Sequence, residues 1–287
     1  MSRWAYVNGR FVRHGDAAVH IEDRGYQLAD GIYEVWAVMD GRLVDTEGHF
    51  ERLDRSLTEL AIAPPMGRRA LELVLKEAVR RNRVDYGLVY LQVTRGVARR
   101  DHAFPDPPPT PAMVITAKSL DRAAAEARAA RGIGVITALE NRWGRCDIKT
   151  IGLLPNAMAK TAARDRGAGE AWFVDAQGLV TEGASSNAWI VDAEGILRTR
   201  DTSANILRGV TRKTVLGMIG EQNVRFEERA FTPDEVRSAR EAFITGAGAL
   251  VMPVVSIDGV KIGAGVPGPL ATRLRALYIE NARASGK

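Results

Sequence analysis

Apolar and polar positions alternate where the chain begins. Trp4 to Val7 and Arg10 to Val12 are runs of β-formers on either side of Asn8 and Gly9, the pair that a tight two-residue hairpin favours. A second hairpin is expected at Ile32 to Met39, turning at Asp40 and Gly41. The period then changes. Phe50, Leu53, Leu57 and Leu60 recur at helical spacing, which predicts a helix from about Glu47 to Ala61 capped by Thr46, and another follows from about Gly67 to Arg83. Leu88 to Thr94 and Ala112 to Thr116 read as strands separated by the proline-rich loop Pro105 to Pro111. Together these elements predict one compact α+β unit.

The charged, alanine-rich stretch Leu120 to Ala130 suits a connecting segment or an exposed helix, and the strand Ile133 to Leu139 opens a second unit. The expected division is a smaller domain over 1–119, a connector over 120–132 and a larger domain over 133–287. In the second unit, short strands at Ala171 to Val174, Asn187 to Val191, Ala242 to Thr245 and Val254 to Ile257 alternate with helices near Asn156 to Arg166 and Thr211 to Glu221. A last helix covers about Leu270 to Ala284.

Composition narrows the classes. The 40 basic residues are interleaved with 35 acidic ones, so the net charge of +5 suggests attraction of small anionic substrates rather than a nucleic-acid footprint. No apolar run reaches the roughly 18 residues of a membrane span, and MSRWAYVNGRFV lacks the apolar core of a signal peptide. One cysteine, Cys146, makes neither an intrachain disulfide nor a thiolate metal cluster, and none of the four histidines has metal-ligand spacing with another. A cytoplasmic protein is the expectation.

Four stretches carry candidate chemistry. Lys149 sits in RCDIKTIGLL among Ile148, Ile151, Leu153 and Leu154, where desolvation favours the neutral amine that attacks a carbonyl to make a Schiff base; a lysine that reaches solvent or pairs with Asp147 explains the pattern equally well. Glu182, in VTEGASSN, ends a short strand, as a partner for a pyridine nitrogen or as a cap or turn residue. Arg52 and His49, in HFERLDRS, share a helical face; a surface arginine is the plain alternative. In LRGVTR, Gly209 and Thr211 stand at a helix start, where backbone N–H groups can cradle a phosphate or simply begin a helix.

Together these stretches resemble the fold-type IV pyridoxal-phosphate enzymes, from EDRGYQLADGIYEV (Glu22 to Val35) to FITGAGALVMPV (Phe243 to Val254). The resemblance implies a two-domain α+β fold with pyridoxal 5'-phosphate between the domains and the cofactor lysine, Lys149, in the larger one. It implies that Glu182 bonds the ring nitrogen, Arg52 holds the phosphate and Leu207 packs on the ring. Val210 and Thr211 supply phosphate contacts from the helix start, and Ser185, Gly209 and Ala247 complete the cofactor set. Gly246, Ala247 and Gly248 stand where a typical D-amino-acid aminotransferase of this family has hydroxyl residues, leaving backbone N–H groups to meet the phosphate.

Arg100 and His102, two apart in VARRDHAFP, would point the same way from an extended chain. The pair resembles the carboxylate trap of D-amino-acid aminotransferases, completed by Tyr33, in which the Arg and His reach in from the partner of a homodimer. The implied reaction transfers an amino group between a D-amino acid, of the D-alanine or D-glutamate type, and a 2-oxo acid such as 2-oxoglutarate. Branched-chain L-aminotransferase, amine transaminase and aminodeoxychorismate lyase activities are the alternatives on the same scaffold. A non-catalytic, basic, dimeric binding protein is the alternative from a different class.

Overall fold

The computed structural model describes residues 3–202, 206–220 and 224–284. They form two compact units: the chain up to Asp121 together with Ile148–Gly152, and Arg122–Asp147 together with Leu153–Ala284. The segment Ile148–Gly152, which carries Lys149 and is expected in the larger domain, belongs to the first unit.

The first unit comprises β1 (Trp4–Val7), β2 (Arg10–Arg13), α1 (Arg24–Leu28), β3 (Gly31–Met39), β4 (Arg42–Leu43), α2 (Thr46–Glu59), α3 (Arg68–Asn82), β5 (Gly87–Thr94) and β6 (Ala112–Ser119). Its strands form an antiparallel sheet in the order β2-β1-β6-β5-β3-β4. Both hairpin turns use left-handed residues, Asn8 and Gly9 at φ 43° and 98° and Asp40 and Gly41 at φ 51° and 74°, as a twisted two-residue turn requires. The cap of α2 differs from expectation: Thr46 is the first helical residue, its hydroxyl donates to the Leu43 carbonyl, and Asp45 precedes it in the left-handed region without a side-chain cap bond.

Helices α2 and α3 lay their apolar faces on this sheet. Phe50, Leu53, Leu57, Leu71 and Leu75 pack with Trp36, Val38, Val89, Leu91 and Ile115, and Ile148 belongs to the same core. That last side chain anchors the segment that carries Lys149.

The second unit comprises α4 (Arg122–Arg131), β7 (Ile133–Leu139), α5 (Leu154–Asp165), β8 (Glu170–Val174), β9 (Val180–Gly183), β10 (Asn187–Val191), β11 (Leu197–Thr199), α6 (Val210–Ile219), β12 (Phe226–Glu228), α7 (Pro233–Ser238), β13 (Glu241–Gly246), β14 (Leu250–Ile257), β15 (Val260–Lys261) and α8 (Pro269–Ala284). Its sheet runs β12-β11-β10-β13-β14-β7-β8-β9, with β15 on β14, and mixes parallel pairs (β7 with β8 and β14, and β11 with β12) with antiparallel ones. The helix expected to reach Glu221 is described to Ile219, and Glu221 lies outside the described residues. No helix among the described residues is long and apolar enough to cross a membrane.

The first unit's core gives a direct test. Leu75 is fully buried while Leu73, on the same helix, is 64% exposed. Leu75→Ala is expected to cost about 3 kcal/mol in urea unfolding and Leu73→Ala less than about 0.5 kcal/mol.

Candidate active site

Lys149 is placed by the backbone of β3. The Tyr33 N–H donates to the Lys149 carbonyl at 3.0 Å and the Ile151 N–H to the Gly31 carbonyl at 3.2 Å, so 149–151 adds a short antiparallel bridge at the start of that strand. The Lys149 N–H meets Ser56 Oγ at 3.4 Å. Its half-buried side chain brings Nζ to 4.0 Å from the centre of the Tyr33 ring. Asp147 is bound by Arg145 at 2.9 Å. Tyr33 stacks on Tyr90 with ring centres 5.7 Å apart, and burial, with Tyr33 alongside, pushes the Tyr90 phenol up to about 12.

Arg52 is buried, and so is the carboxylate it serves. Its Nε and Nη2 donate to Glu34 Oε1 and Oε2 at 2.7 and 2.8 Å, and His49 Nδ1 lies 2.8 Å from Glu34 Oε2. Burial alone would raise the Glu34 carboxyl; the Arg52 charge and the hydrogen bonds from Arg52 and His49 outweigh it and hold Glu34 well below the usual carboxylate range. An ionised carboxylate only accepts, so His49 Nδ1 carries the hydrogen it shares with Glu34. Burial also pushes His49 down against the pull of Glu34, which keeps the imidazole neutral at pH 7. Arg52 and His49 thus share a helical face as expected, but they meet on Glu34, which the sequence reading did not single out.

The second unit holds Glu182 in β9, 3% exposed, which excludes a solvated turn residue. Its Oε1 accepts from Arg142 Nη1 at 2.6 Å, its Oε2 from Asn187 Nδ2 at 3.1 Å, and both oxygens lie 3.2 Å from the Leu207 N–H. Arg142 also grips Glu140 through Nε at 2.8 Å, and Thr181 Oγ1 donates to Glu140 at 2.8 Å. Burial works against the Arg142 charge, yet the pairs with Glu140 and Glu182 raise its pKa above the ordinary arginine value. Cys146 donates its thiol to the Trp143 carbonyl at 3.1 Å, and burial pushes that thiol up to about 11, as suits a packing residue.

Gly209 is the N-cap of α6 and offers no side-chain cap bond, so the first N–H groups of the helix have none from that residue. A Cβ there would fall 1.9 Å from Asn187 Oδ1, so a larger residue would force the Asn187 side chain to shift. Val210 and Thr211 follow, both buried. Ser185 is exposed and donates to the buried Glu170 at 2.7 Å, which also accepts from Ser186 at 3.1 Å and pairs with Lys160 at 3.2 Å. Ala247 lies half-buried in the turn between β13 and β14, and Leu207 is half-buried beside Glu182.

Arg100 and His102 are exposed on the loop between β5 and β6. Both lie in bends, so they do not project together from an extended strand as the two-residue spacing suggested. Among the described residues neither makes a hydrogen bond or ion pair with its side chain, and the structure does not join them to Tyr33.

Residues 31–257 match the family model described as amino-transferase class IV. The D-alanine aminotransferase of Bacillus licheniformis is 41% identical over 268 residues, covering 93% of each chain, and that of Staphylococcus haemolyticus is 39% identical over 96% of this chain and 98% of its own. Among solved structures, the branched-chain amino acid aminotransferase of the archaeon Thermoproteus uzoniensis with norvaline superposes with a TM-score of 0.83 at 25% identity, covering 98% of this chain and 94% of that one. The chain belongs to the amino-transferase class IV family, the fold-type IV enzymes.

The Glu34 network predicts an acid-sensitive fold. Because the folded His49 value lies below the ordinary 6.5, the unfolded chain takes up the proton more readily, so stability present above pH 6.5 is lost as the pH falls below it. The melting temperature is expected to fall between pH 7 and pH 5, and to fall less in His49→Gln, as thermal scans across that range would show.

Proposed function

We propose that this protein transfers an amino group between a D-amino acid, of the D-alanine or D-glutamate type, and a 2-oxo acid such as 2-oxoglutarate, with pyridoxal 5'-phosphate linked to Lys149. The observation that carries the reading is the placement of the Lys149 amine, fixed by backbone bonds to β3 and held 4.0 Å over Tyr33. Curated D-alanine aminotransferases at 41% and 39% identity support the donor class.

The side chains present fit the cofactor. The uncapped start of α6, with no Cβ at Gly209, suits a phosphate, and the buried Glu182 carboxylate suits a protonated pyridine nitrogen. In this reading Arg52, Gly209, Val210 and Thr211 hold the phosphate, helped by Ser185 and the Ala247 turn, while Leu207 packs on the ring. When bound, the cofactor supplies an electron sink and carries the amino group between half-reactions. Lys149 Nζ holds it covalently and, once released, takes the proton from the substrate α-carbon. Arg142 and Asn187 keep the Glu182 carboxylate aimed.

Tyr33, with Arg100 and His102 of the partner subunit, orients the substrate carboxylate; the protein acts as a cytoplasmic homodimer. Handedness follows from that trap. Lys149 removes a proton from one side only, and a carboxylate held by these groups turns the D form's Cα–H bond toward the amine, whereas the L form presents its side chain.

Lys149→Ala is expected to lower transamination at least about a thousandfold while the protein stays folded, because attachment and proton transfer both need that amine; full turnover without added amine would sink the assignment. A donor panel with both enantiomers and 2-oxoglutarate tests the substrate class. D-alanine or D-glutamate should far exceed the L forms, and a preference for L-leucine or L-valine would overturn the donor assignment and favour a branched-chain enzyme.

A further inference from the structure

The loop that bears Arg100 and His102 is exposed at its tip, but its root is built on buried charge. Arg24, Asp30 and Arg95 are all at least nine-tenths buried, and the two guanidinium groups share one oxygen: Arg24 Nε lies 2.7 Å and Arg95 Nε 2.8 Å from Asp30 Oδ2. One carboxylate does not balance two cations, so the remaining donors seek carbonyls. Arg95 reaches the Leu60 and Ala61 carbonyls at 2.8 and 3.1 Å, toward the body of the unit. Arg24 reaches the other way, and its Nη1 donates to the Asp101 carbonyl at 2.7 Å.

Asp101 is the residue between Arg100 and His102, so this bond holds the Asp101–His102 peptide within the segment that carries the pair. The same loop is held at its start, where the Arg24 N–H donates to the Gly96 carbonyl at 2.9 Å and the Ala98 N–H to the Glu22 carbonyl at 3.3 Å. It is held beyond the pair by Phe104, whose ring lies 3.7 Å from the Arg95 guanidinium carbon. Gly96, at φ +105°, could not be another residue without strain, and a Cβ there would fall 2.1 Å from the Thr110 carbonyl. The loop is therefore tied down on both sides of two side chains that have no tie of their own.

We infer that Arg24 is a positioning residue for the substrate carboxylate: by bridging Asp30 and the Asp101 carbonyl, it holds the Arg100–His102 segment in the conformation that receives an amino-acid or 2-oxo-acid carboxylate. The inference rests on the role proposed above for Arg100 and His102. A lysine cannot replace Arg24, because the two bonds leave from different nitrogens of a rigid fork. Removing Arg24 does not leave Asp30 alone, since Arg95 still pairs with it, so Arg24→Met is expected to fold.

The test compares Arg24→Met, Arg24→Lys, the double variant Arg100→Ala/His102→Ala and the triple variant that adds Arg24→Met, all as holoenzyme. Arg24→Met should raise KM for D-alanine about tenfold, the loss of one charge-assisted hydrogen bond, with kcat within about threefold. Amide hydrogen exchange over 97–104 should quicken, and Arg24→Lys should follow Arg24→Met. In the background lacking Arg100 and His102, Arg24→Met should raise KM no further. An unchanged KM in Arg24→Met, full rescue by Arg24→Lys, or the same rise in the triple variant would overturn the inference. If Arg100→Ala/His102→Ala itself leaves KM unchanged while exchange still quickens in Arg24→Met, the carboxylate reading has failed and the anchoring of the loop has not.

Discussion

The arrangement depends on two backbone hydrogen bonds. Tyr33 N–H to Lys149 C=O and Ile151 N–H to Gly31 C=O fix a short segment on the start of β3, and Ile148 buries its side chain in the core beneath. Gly31 makes this possible, since a Cβ there would fall 2.7 Å from the Val93 carbonyl and 3.1 Å from Ile151. The amine of Lys149 is thus located by main-chain geometry, and the side chain needs only to span the distance to the Tyr33 ring. Strand β3 is paired with β5 from Gly31 to Val38, so the segment rests on a strand held by a continuous ladder.

Within each unit, buried charges are paired. Glu34 with Arg52 and His49, Asp30 with Arg24 and Arg95, and Glu182 with Arg142 and Asn187 each bury a carboxylate with hydrogen bonds to more than one group. Buried ion pairs contribute little net stability against apolar replacements, but breaking one leaves a lone charge and costs about 3 to 5 kcal/mol. Such pairs therefore serve best as alignment devices. Glu34 holds Arg52, Arg142 holds Glu182, and Asp30 holds Arg24, so buried partners fix where these side chains point.

The elements with strong local signals are legible in the sequence. Asn8–Gly9 and Asp40–Gly41 force the two hairpins, β7 and β10 fall where the apolar runs put them, and the helical stripe of Phe50, Leu53 and Leu57 is buried. Short elements such as α1, β11, β12 and α7 carry too few residues for a period to show. Lys149, Glu182 and Arg52 stand out by composition and resemblance, whereas Glu34, Glu140, Arg142, Asn187 and Glu170 do not. Arg142 is 40 residues from Glu182, and no spacing rule links positions that only the sheet brings together. The sequence places Lys149 in the larger domain for the same reason: the bridge between Ile32 and Thr150 joins positions far apart in the chain, and sequence distance hides it.

The central claim is that the cofactor is carried by Lys149. Reduction of the holoenzyme with borohydride, digestion and mass mapping of the phosphopyridoxyl label tests it without reference to any substrate. The label is expected on the peptide containing Lys149 and on no other lysine; a label on Lys160, Lys213 or any other amine, or none at all, would contradict the account.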